Sequence, residues 1–295
     1  MPKVKKAIFV VAGFGTRFLP VTKAVPKEMM PIIDKPIIQY LVEEAVEAGI
    51  TEIIFVTGRG KNAIENHFDK SYELESSLVE KGKNKLLEEV NKISKLANFA
   101  YVRQPVQKGD GHALLCAKPF VDLPEPVMVI FPDYIMPKEN NTLKKMVEFY
   151  EKTGSPIIAT DFVPEKKVSQ YGIIAFENTE NENIVKVTDF VEKPKQNAPS
   201  NMINNGYAII TEDIWNYLSS SQSTVSDGEI RLADAFTQMA AEGKDLFALK
   251  AEKHGYDCGV PIGILKAVVD MGLERDDLKE EFLEYLQNRL TTKIK

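Results

Sequence analysis

A glycine-rich turn near the start of the chain is followed by a cluster of cations, in the stretch AGFGTRFLPVTKAVPKE at residues 12–28. Gly13 and Gly15 permit a close approach of the backbone to a ligand. The cations of this stretch are Arg17, Lys23 and Lys27. A nucleoside triphosphate carries about four negative charges, which guanidinium and ammonium groups can bind. The stretch therefore favours a phosphate-binding loop, with a purely structural turn as the alternative.

The loop matches neither of two common phosphate-binding motifs. No Gly-Lys-Ser/Thr closes it as in a Walker A loop, and Phe18 occupies the position of the third glycine of a dinucleotide fingerprint. A second basic, glycine-rich stretch at residues 57–62 is interpreted as a strand-to-helix turn. No serine or cysteine lies in a nucleophile motif. The histidines are isolated in the sequence, and each is predicted to be structural: His67, His112 and His254.

Composition excludes several classes of function. The chain has 295 residues and a net charge of -6, so a broad nucleic-acid-binding surface is not expected. Its two cysteines lie far apart in sequence, which argues against a disulfide framework and favours a reducing cytoplasm. No apolar stretch approaches the roughly 18 residues of a membrane span, and the first apolar run is too short for a signal peptide.

Short apolar runs alternate with amphipathic segments along the chain, which is typical of an α/β fold. The pattern predicts a buried strand at 7–12, a helix at 36–49 and a second strand at 52–58. Strand, helix and strand in this order form a βαβ unit with parallel pairing. Ligands of such sheets bind beyond the carboxyl ends of the strands, where the glycine-rich turn follows the first strand.

The later elements continue this alternation and become richer in strands. Residues 61–98 are predicted to be helical, with room for two helices. Further predicted strands are 99–104, 127–133, 155–162 and 204–211, with a hairpin over 172–194. Further predicted helices are 111–117, 142–154, 212–219, 229–242 and 261–273. The tail at 276–290 carries an amphipathic stripe, interpreted either as packing onto the parent domain or as a subunit contact.

These elements predict one α/β domain over residues 1–275, with a doubly wound, mixed but mostly parallel sheet and helices on both faces. Strands are added in the second half of this domain. Residues 276–295 are predicted to form a C-terminal amphipathic helix.

The stretch AGFGTRFLPVTKAVPKEMMPIIDKPIIQY resembles the signature of the bacterial sugar-nucleotidylyltransferases. The resemblance recurs in seven further blocks: GITEIIFVTGRGKNAIENHFD, VRQPVQKGDGHALLCA, FPD, QYGII, DFVEKPKQNAPSN, GEIRLADA and YDCG. It is strongest to the branch that joins UTP to glucose 1-phosphate. It implies the Rossmann-like nucleotide-diphospho-sugar transferase fold. The nucleotide-binding part would then occupy about 1–135, and a sugar-phosphate part with a small β-rich addition about 136–260.

The resemblance also implies a reaction. An oxygen of glucose 1-phosphate would attack the α-phosphorus of UTP, giving UDP-glucose and pyrophosphate without a covalent enzyme intermediate. Such a transfer depends on positioning and charge neutralisation more than on acid–base chemistry. Arg17, Lys27 and Lys193 are implied to be catalytic. Asp133 and Asp257 are implied to hold one Mg²⁺ between the nucleotide and the sugar phosphate.

Binding roles follow from the same resemblance. The implied nucleotide-binding residues are Ala12 and Gly13 beside the base, Gly15, Thr16 and Arg17 at the triphosphate, and Gln104 and Gly109 at the edge of the base. The implied sugar-phosphate-binding residues are Gly172, Glu192, Lys193, Asn205 and Gly206. Glu192 would accept hydrogen bonds from sugar hydroxyls, and Lys193 would neutralise the attacking phosphate.

The sequence departs from the family pattern in three places. It reads NNGY at residues 204–207 where the family usually reads VGRY; with Gly206 on the family's glycine, Asn205 replaces an apolar residue and Tyr207 replaces an arginine. Asp227 and the glycine after it stand in reversed order, and Asp110 lies in the base-reading turn. Each new side chain is polar, and we expect altered specificity or affinity with the chemistry retained.

Two alternatives remain open. One is the same chemistry with dTTP or with another sugar 1-phosphate, and the other is a non-catalytic paralogue that binds a nucleotide sugar. The favoured interpretation is a cytoplasmic homo-oligomer, either a dimer or a tetramer, with UTP and glucose 1-phosphate as substrates. We expect it to bind neither nucleic acid nor membranes.

Overall fold

The computed structural model describes residues 2–220 and 228–291. Within these ranges the strands are β1 (Lys6–Val10), β2 (Pro31–Ile32), β3 (Lys35–Pro36), β4 (Glu52–Thr57), β5 (Asn98–Arg103), β6 (Val127–Ile130), β7 (Tyr134–Ile135), β8 (Ile157–Phe162), β9 (Gly172–Asn178), β10 (Ile184–Glu192), β11 (Met202–Ile210), β12 (Phe247–Leu249) and β13 (Tyr256–Asp257). The helices are α1 (Ile37–Glu47), α2 (Asn62–Phe68), α3 (Tyr72–Glu80), α4 (Asn84–Ile93), α5 (Asp110–Ala117), α6 (Thr142–Thr153), α7 (Glu212–Ser220), α8 (Leu232–Ala241), α9 (Pro261–Glu274) and α10 (Lys279–Thr291).

A nine-stranded central sheet has the strand order β5-β4-β1-β6-β11-β8-β12-β10-β9. The first four strands of this order are parallel to one another, and β8 is parallel to β12. Strand β11 is antiparallel to β6 and β8, and β10 is antiparallel to β12 and β9. The predicted mixed, mostly parallel sheet is therefore confirmed, and its reversed strands both belong to the second half of the chain.

Alternate side chains of β1 enter two separate cores, one on each face of the sheet. Phe9 belongs to the core that α1 covers through Leu41, and Ile8 belongs to the core that α5 covers through Leu114. These four side chains are at most 1% exposed. Because helices cover both faces, the strand reads as a continuous apolar run and not as an alternation.

Several elements differ from the prediction. Residues 61–98 contain the three helices α2, α3 and α4, where two were expected. The strand predicted at 127–133 ends at Ile130, and the N–H of Phe131 donates to the Gly206 carbonyl oxygen at 3.0 Å. Strand β12 and the two-residue pairs β2–β3 and β7–β13 are absent from the sequence-based prediction. Two or three residues carry no periodicity from which a strand could be recognised.

The C-terminal helix α10 packs on α9. A Cβ added at Gly272 would lie 3.0 Å from the ring of Phe282, so the absence of a side chain there allows the close contact. This contact agrees with the packing interpretation of the tail. Leu290 is 86% exposed, and the subunit contact stays a prediction. Among the described residues, no helix combines the length and the apolar character needed to cross a lipid bilayer.

Candidate active site

The residues predicted to border the base lie at the carboxyl ends of the parallel strands, where ligands of such sheets bind. Ala12 follows β1, and its carbonyl oxygen accepts a hydrogen bond from Gln107 Nε2 at 2.6 Å. Gln104 follows β5 directly, and its Nε2 donates to the carbonyl oxygen of Gly109 at 2.9 Å. The segment after β5 therefore reaches back across the sheet to the end of β1.

The glycine-rich loop consists of three short 3-10 turns, Thr16–Phe18, Val21–Lys23 and Lys27–Met29. Gly15 has a φ of 66°, in the left-handed region that favours glycine. A Cβ at Gly15 would lie 3.1 Å from the Lys27 Cβ and 3.1 Å from the Thr22 Cγ2. The loop thus folds back on itself and brings Lys27 to the turn, while Gly13 and Thr16 remain exposed.

The two aspartates predicted to hold a metal are brought together by the antiparallel pair β7–β13. Its register places Tyr134 opposite Asp257, and Asp133 directly precedes Tyr134. A Cβ added at Gly259 would lie 3.0 Å from Asp257 Oδ1 and 3.5 Å from Asp133 Cβ. The same point is 3.4 Å from Arg17 Nη1. The two-residue ladder therefore brings Asp133 and Asp257 together, and Arg17 from the start of the chain lies beside them.

Both aspartates are hydrogen-bonded in this arrangement. Lys27 Nζ donates to Asp133 Oδ1, which joins the glycine-rich loop to the predicted metal site. The Tyr171 hydroxyl donates to Asp257 Oδ2 at 2.7 Å, and the N–H of Gly259 donates to Asp257 Oδ1 at 3.0 Å. Burial and the neighbouring Asp257 carboxylate raise the pKa of Tyr171, so its phenol remains a donor.

The predicted sugar-phosphate residues of the hairpin β9–β10 lie side by side. Gly172 is opposite Glu192 in the register, and a Cβ on Gly172 would lie 3.0 Å from Glu192 Oε2. Lys193 Nζ is 2.8 Å from Glu192 Oε1, and the Lys193 N–H donates to the Tyr171 carbonyl oxygen at 3.0 Å. Tyr171 therefore connects the predicted sugar site to the predicted metal site through its backbone and its hydroxyl.

The departures at Asn205 and Tyr207 lie in the core. The Asn205 side chain is buried, and its Nδ2 lies 3.4 Å from Met136 Sδ. Tyr207 is fully buried, and its hydroxyl donates to the Tyr134 carbonyl oxygen at 2.5 Å. Between them, Gly206 has a φ of 93° within an irregular part of β11. A sugar contact of Asn205 or Gly206, and an effect of these departures on sugar preference, stay predictions.

Asp110 links the predicted base-reading turn to α8. Its Oδ1 accepts a hydrogen bond from the N–H of Leu232, the first residue of α8, at 2.8 Å. Burial raises the pKa of Asp110 to about 6. Gly109, with a φ of 91°, lies so close to Ile230 that a Cβ would be 2.3 Å from the Ile230 carbonyl oxygen. The departure at Asp110 is therefore explained in part by a hydrogen bond to α8, while the departure at Asp227 lies outside the described residues.

A buried ion pair that no sequence motif indicates lies behind the glycine-rich loop. Lys61 Nζ donates to Glu28 Oε2 at 2.7 Å, and both residues are at most 5% exposed. Glu28 Oε1 is also buried and has no hydrogen-bond partner among the described residues. Burial raises the pKa of Glu28 and lowers that of Lys61. Lys61 lies in the basic turn at 57–62, but no local signal indicates that it would reach Glu28.

Each histidine has a protein partner, in agreement with the predicted structural roles. His67 Nε2 is 2.9 Å from Gln39 Oε1, and His112 Nδ1 is 3.0 Å from Gln104 Nε2. His254 Nδ1 is 2.7 Å from a carboxylate oxygen of Asp161. None of these contacts involves the predicted phosphate-binding cations.

The donor set suits Mg²⁺. Among residues 2–220 and 228–291, no group of three or more His, Cys, Asp or Glu side chains is placed to hold a metal ion. The Asp257 carboxylate and the Asp133 side chain lie beside the same point at Gly259, and Mg²⁺ commonly takes one or two carboxylates with phosphate oxygens and water as its other ligands. The site therefore fits a cation that the protein binds together with a phosphorylated ligand.

Comparison with known proteins identifies the group to which this arrangement is similar. The family described as nucleotidyl transferase matches residues 6–272. A protein of Bacillus subtilis (strain 168) named UTP--glucose-1-phosphate uridylyltransferase is 46% identical over 291 residues, covering 98% of each chain.

Solved structures agree with the sequence comparison. A UTP-bound UGPase from Acinetobacter baumannii is 37% identical, with a TM-score of 0.87 over 98% of this chain and 100% of that chain. A UDP-glucose pyrophosphorylase complexed with UDP-glucose is 39% identical, with a TM-score of 0.82 over 92% of this chain and 100% of that chain. The similarity thus covers nearly the whole chain, including both halves of the site.

Proposed function

This chain belongs to the nucleotidyl transferase family, and from that premise we propose how its site carries out the family reaction. The chain transfers UMP from UTP to glucose 1-phosphate and releases UDP-glucose and pyrophosphate. The observation that carries the proposed mechanism is the convergence of Arg17, Asp133 and Asp257 around Gly259, next to Lys27.

The uridine of UTP binds between the ends of β1 and β5. The backbone at Ala12 and Gly13 borders the base, and the side-chain oxygen of Gln104 can accept a hydrogen bond from the N3–H of uracil, since Gln104 Nε2 already contacts Gly109 and His112. The hydrogen bond from Gln104 Nε2 to Gly109 orients this amide before the nucleotide binds. dTTP differs from UTP in the methyl group on its base and in its sugar. Selection between the two nucleotides therefore depends on the space beside the base and beside the sugar.

The triphosphate binds to the glycine-rich loop. Gly15 and Thr16 offer backbone N–H groups, and Arg17 neutralises the β- and γ-phosphates that leave as pyrophosphate. In the protein alone, Lys27 is paired with Asp133. A phosphate brought to this position offers Lys27 a new anionic partner, so we expect the pair to separate when the nucleotide binds.

Glucose 1-phosphate binds on the side of the hairpin β9–β10. Glu192 accepts hydrogen bonds from sugar hydroxyls, Gly172 leaves room for the sugar, and Lys193 neutralises the 1-phosphate. Gly206 and the backbone at Asn205 complete this wall. An oxygen of the 1-phosphate attacks the α-phosphorus while the bond from that phosphorus to pyrophosphate breaks, so no enzyme group is covalently modified.

Asp133 and Asp257 would hold Mg²⁺. When bound, Mg²⁺ supplies positive charge that reduces the repulsion between the phosphates of the two substrates. Tyr171 and the N–H of Gly259 keep the Asp257 carboxylate oriented. The protein thereby sets the distance between two anions that would otherwise repel each other.

We propose further that the protein is cytoplasmic and forms a homo-oligomer. Both described cysteines are free thiols, which agrees with a reducing compartment. Exposed apolar side chains on α10, Leu283, Tyr285 and Leu290, could take part in a subunit contact. Sedimentation or light scattering of the purified protein measures the subunit number directly.

The reaction is tested by pyrophosphate release, with UTP or dTTP combined with several sugar 1-phosphates. We expect release to be fastest with UTP and glucose 1-phosphate. Asp133→Asn should lower kcat at least a hundredfold, because it removes one charge of the proposed metal site. The control Asp122→Asn changes a carboxylate that is 98% exposed, and it should leave kcat unchanged.

Two results would contradict the assignment. Undiminished turnover in Asp133→Asn would disprove the proposed metal role. Nucleotide binding without pyrophosphate release from any sugar phosphate would favour the non-catalytic alternative.

A further inference from the structure

A buried carboxylate lies directly behind the two aspartates, and neither the sequence motifs nor the proposed reaction includes it. Asp161, near the end of β8, has an exposed fraction of 0%. Its Oδ2 accepts hydrogen bonds from the Tyr134 hydroxyl at 2.7 Å and from the N–H of Gly255 at 2.8 Å. Its Oδ1 accepts from the Phe162 N–H at 2.6 Å and from His254 Nδ1 at 2.7 Å.

Three of these donors belong to the segments that carry the aspartates. Tyr134 directly follows Asp133 and is opposite Asp257 in the β7–β13 register. His254 and Gly255 directly precede β13, which ends at Asp257. Asp161 is therefore hydrogen-bonded to Tyr134 of β7 and to the two residues that lead into β13, and it connects the pair to the central sheet through β8.

The packing around this contact leaves no room for the strands to shift. A Cβ at Gly255 would lie 2.4 Å from the Tyr134 ring and 2.6 Å from the Ile135 carbonyl oxygen. The Tyr134 carbonyl oxygen also accepts the hydroxyl of Tyr207. Because β7 and β13 are only two residues long, their own ladder offers few hydrogen bonds, so these outside contacts must hold the register.

The chemistry of the position requires a carboxylate. Four donors face its two oxygens, and a carboxylate only accepts, with about four lone-pair sites. An asparagine would turn an NH₂ group toward two of these donors. The phenol could rotate its proton away, but a backbone N–H cannot, so one buried donor would lose its partner.

We propose that Asp161 is a positioning residue that holds the strands of Asp133 and Asp257 in register, so that both carboxylates face one divalent cation. This inference rests on the proposed metal role of those two aspartates. Mutation of a group that orients metal ligands typically lowers metal affinity or activity 10- to 100-fold. Asp161 would act in this way through the backbone, without touching the cation or the substrates.

The test measures how strongly a metal assists nucleotide binding. The dissociation constant of UTP is determined by titration calorimetry, once with EDTA and once with saturating MgCl₂, and the ratio of the two values is the metal coupling. Asp161→Asn should lower this coupling about tenfold, with the EDTA value nearly unchanged. Tyr134→Phe removes one donor and keeps the ring, so it should lower the coupling by a smaller factor in the same direction.

The matched control is Thr160→Val, at the neighbouring residue of β8. Thr160 is also fully buried, and its hydroxyl donates to the Leu249 carbonyl oxygen at 2.9 Å, away from the aspartates. This variant loses a buried hydrogen bond of the same strand but should keep the wild-type coupling. Urea unfolding of all variants separates a loss of stability from a loss of coupling.

Asp133→Asn distinguishes a failure of this inference from a failure of the metal assignment. If Asp133→Asn leaves the coupling at the wild-type value, or if the wild type shows none, the metal assignment itself is wrong. If Asp133→Asn abolishes the coupling but Asp161→Asn retains it, the positioning role of Asp161 is overturned. Should Asp161→Asn not fold, an unchanged coupling in Tyr134→Phe would overturn that role equally.

Discussion

Two buried carboxylates support the two sides of the active site, and they are bound in different ways. Glu28, behind the glycine-rich loop, has one ion-pair partner, Lys61, and one oxygen without a hydrogen bond among the described residues. Asp161, behind the β7–β13 pair, is contacted by four donors, two of them backbone N–H groups. Glu28 is thus stabilised mainly by one ammonium group, whereas Asp161 is stabilised by four hydrogen-bond donors.

This difference indicates how each side responds to a ligand. Backbone and phenol donors cannot move far, so the side with Asp133 and Asp257 is formed before the substrates arrive. The loop side ends in Lys27, which follows a long exposed turn and precedes Glu28 directly. Its charges are balanced by the ion pairs of Lys27 and Lys61, so we expect that an anionic phosphate can replace a partner of Lys27 without breaking a strand pairing.

The largest effect is expected from Lys61→Met. Removing one partner of a buried ion pair leaves an uncompensated charge and typically costs about 3–5 kcal/mol. Glu28 would then have to be protonated in the folded state, so the free energy of unfolding should fall further as the pH rises. Urea unfolding at several pH values measures both effects.

The control for this variant is Lys70→Met, whose side chain is 67% exposed and 3.7 Å from Glu75. Because the ammonium group of this pair is exposed to water, we expect the pair to contribute less than about 1 kcal/mol. The double variant Glu28→Gln with Lys61→Met should recover part of the loss. Equal urea midpoints for Lys61→Met and the wild type would show that Glu28 does not rely on its ion pair with Lys61.

The next effect is on catalysis. Lys27→Met should lower kcat about a hundredfold, or about 3 kcal/mol in the barrier, because it removes the cation that we propose to face the reacting phosphates. Its pairing with Asp133 is partly exposed to water, so the free energy of unfolding should change little. Steady-state kinetics and urea unfolding test the two statements, with the exposed Lys81→Met as control. A large loss of stability with an unchanged kcat would make Lys27 a structural residue.

The smallest effect concerns a third carboxylate, Asp110, and its dependence on pH. Its pKa is raised by burial from an ordinary value of 3.8 to about 6, so the folded state keeps the proton that the unfolded chain has already released. The free energy of unfolding should therefore fall as the pH rises from about 4 to about 6. Asp110→Asn should lack this fall, which we expect to be about 1 kcal/mol because the side chain is only half-buried.

Unfolding curves at pH 4 and pH 7 for Asp110→Asn, the wild type and the exposed control Asp122→Asn test this point. A fall of the same size in all three proteins would assign the pH dependence to other groups. In that case the hydrogen bond from Leu232 would hold an already ionised carboxylate.

Much of the fold could be predicted from local patterns. The apolar runs of β1 and β4 and the amphipathic α1 identify a parallel unit, and the polar turn between β9 and β10 indicates a hairpin. The two-residue strands and β12 could not be predicted, since they are defined by partners far away in sequence. Residues 61–98 contain three helices where two were predicted, because the ends of a polar helix are hard to recognise from the sequence.

The site shows a similar division. The glycine-rich loop and Lys27 could be recognised as a phosphate-binding pattern from residues close in sequence. The ion pair of Lys61 and Glu28 could not, although both residues stand in conspicuous motifs. Asp161 carries no motif at all, and the contact of Asp110 with α8 depends on a helix more than a hundred residues later.

The sequence by itself determined the parallel half of the sheet and the glycine-rich loop, and through resemblance it predicted the family reaction and the groups proposed to carry it out. Those features depend on the spacing of residues close in sequence, which is the same whether or not distant parts of the chain are in contact. The tertiary structure decided which distant groups meet: Asp133 with Asp257, Lys61 with Glu28, and Asp161 with Tyr134 and the residues that lead into β13. Such contacts form only after long segments have been ordered by the burial of two cores, so no local pattern encodes them.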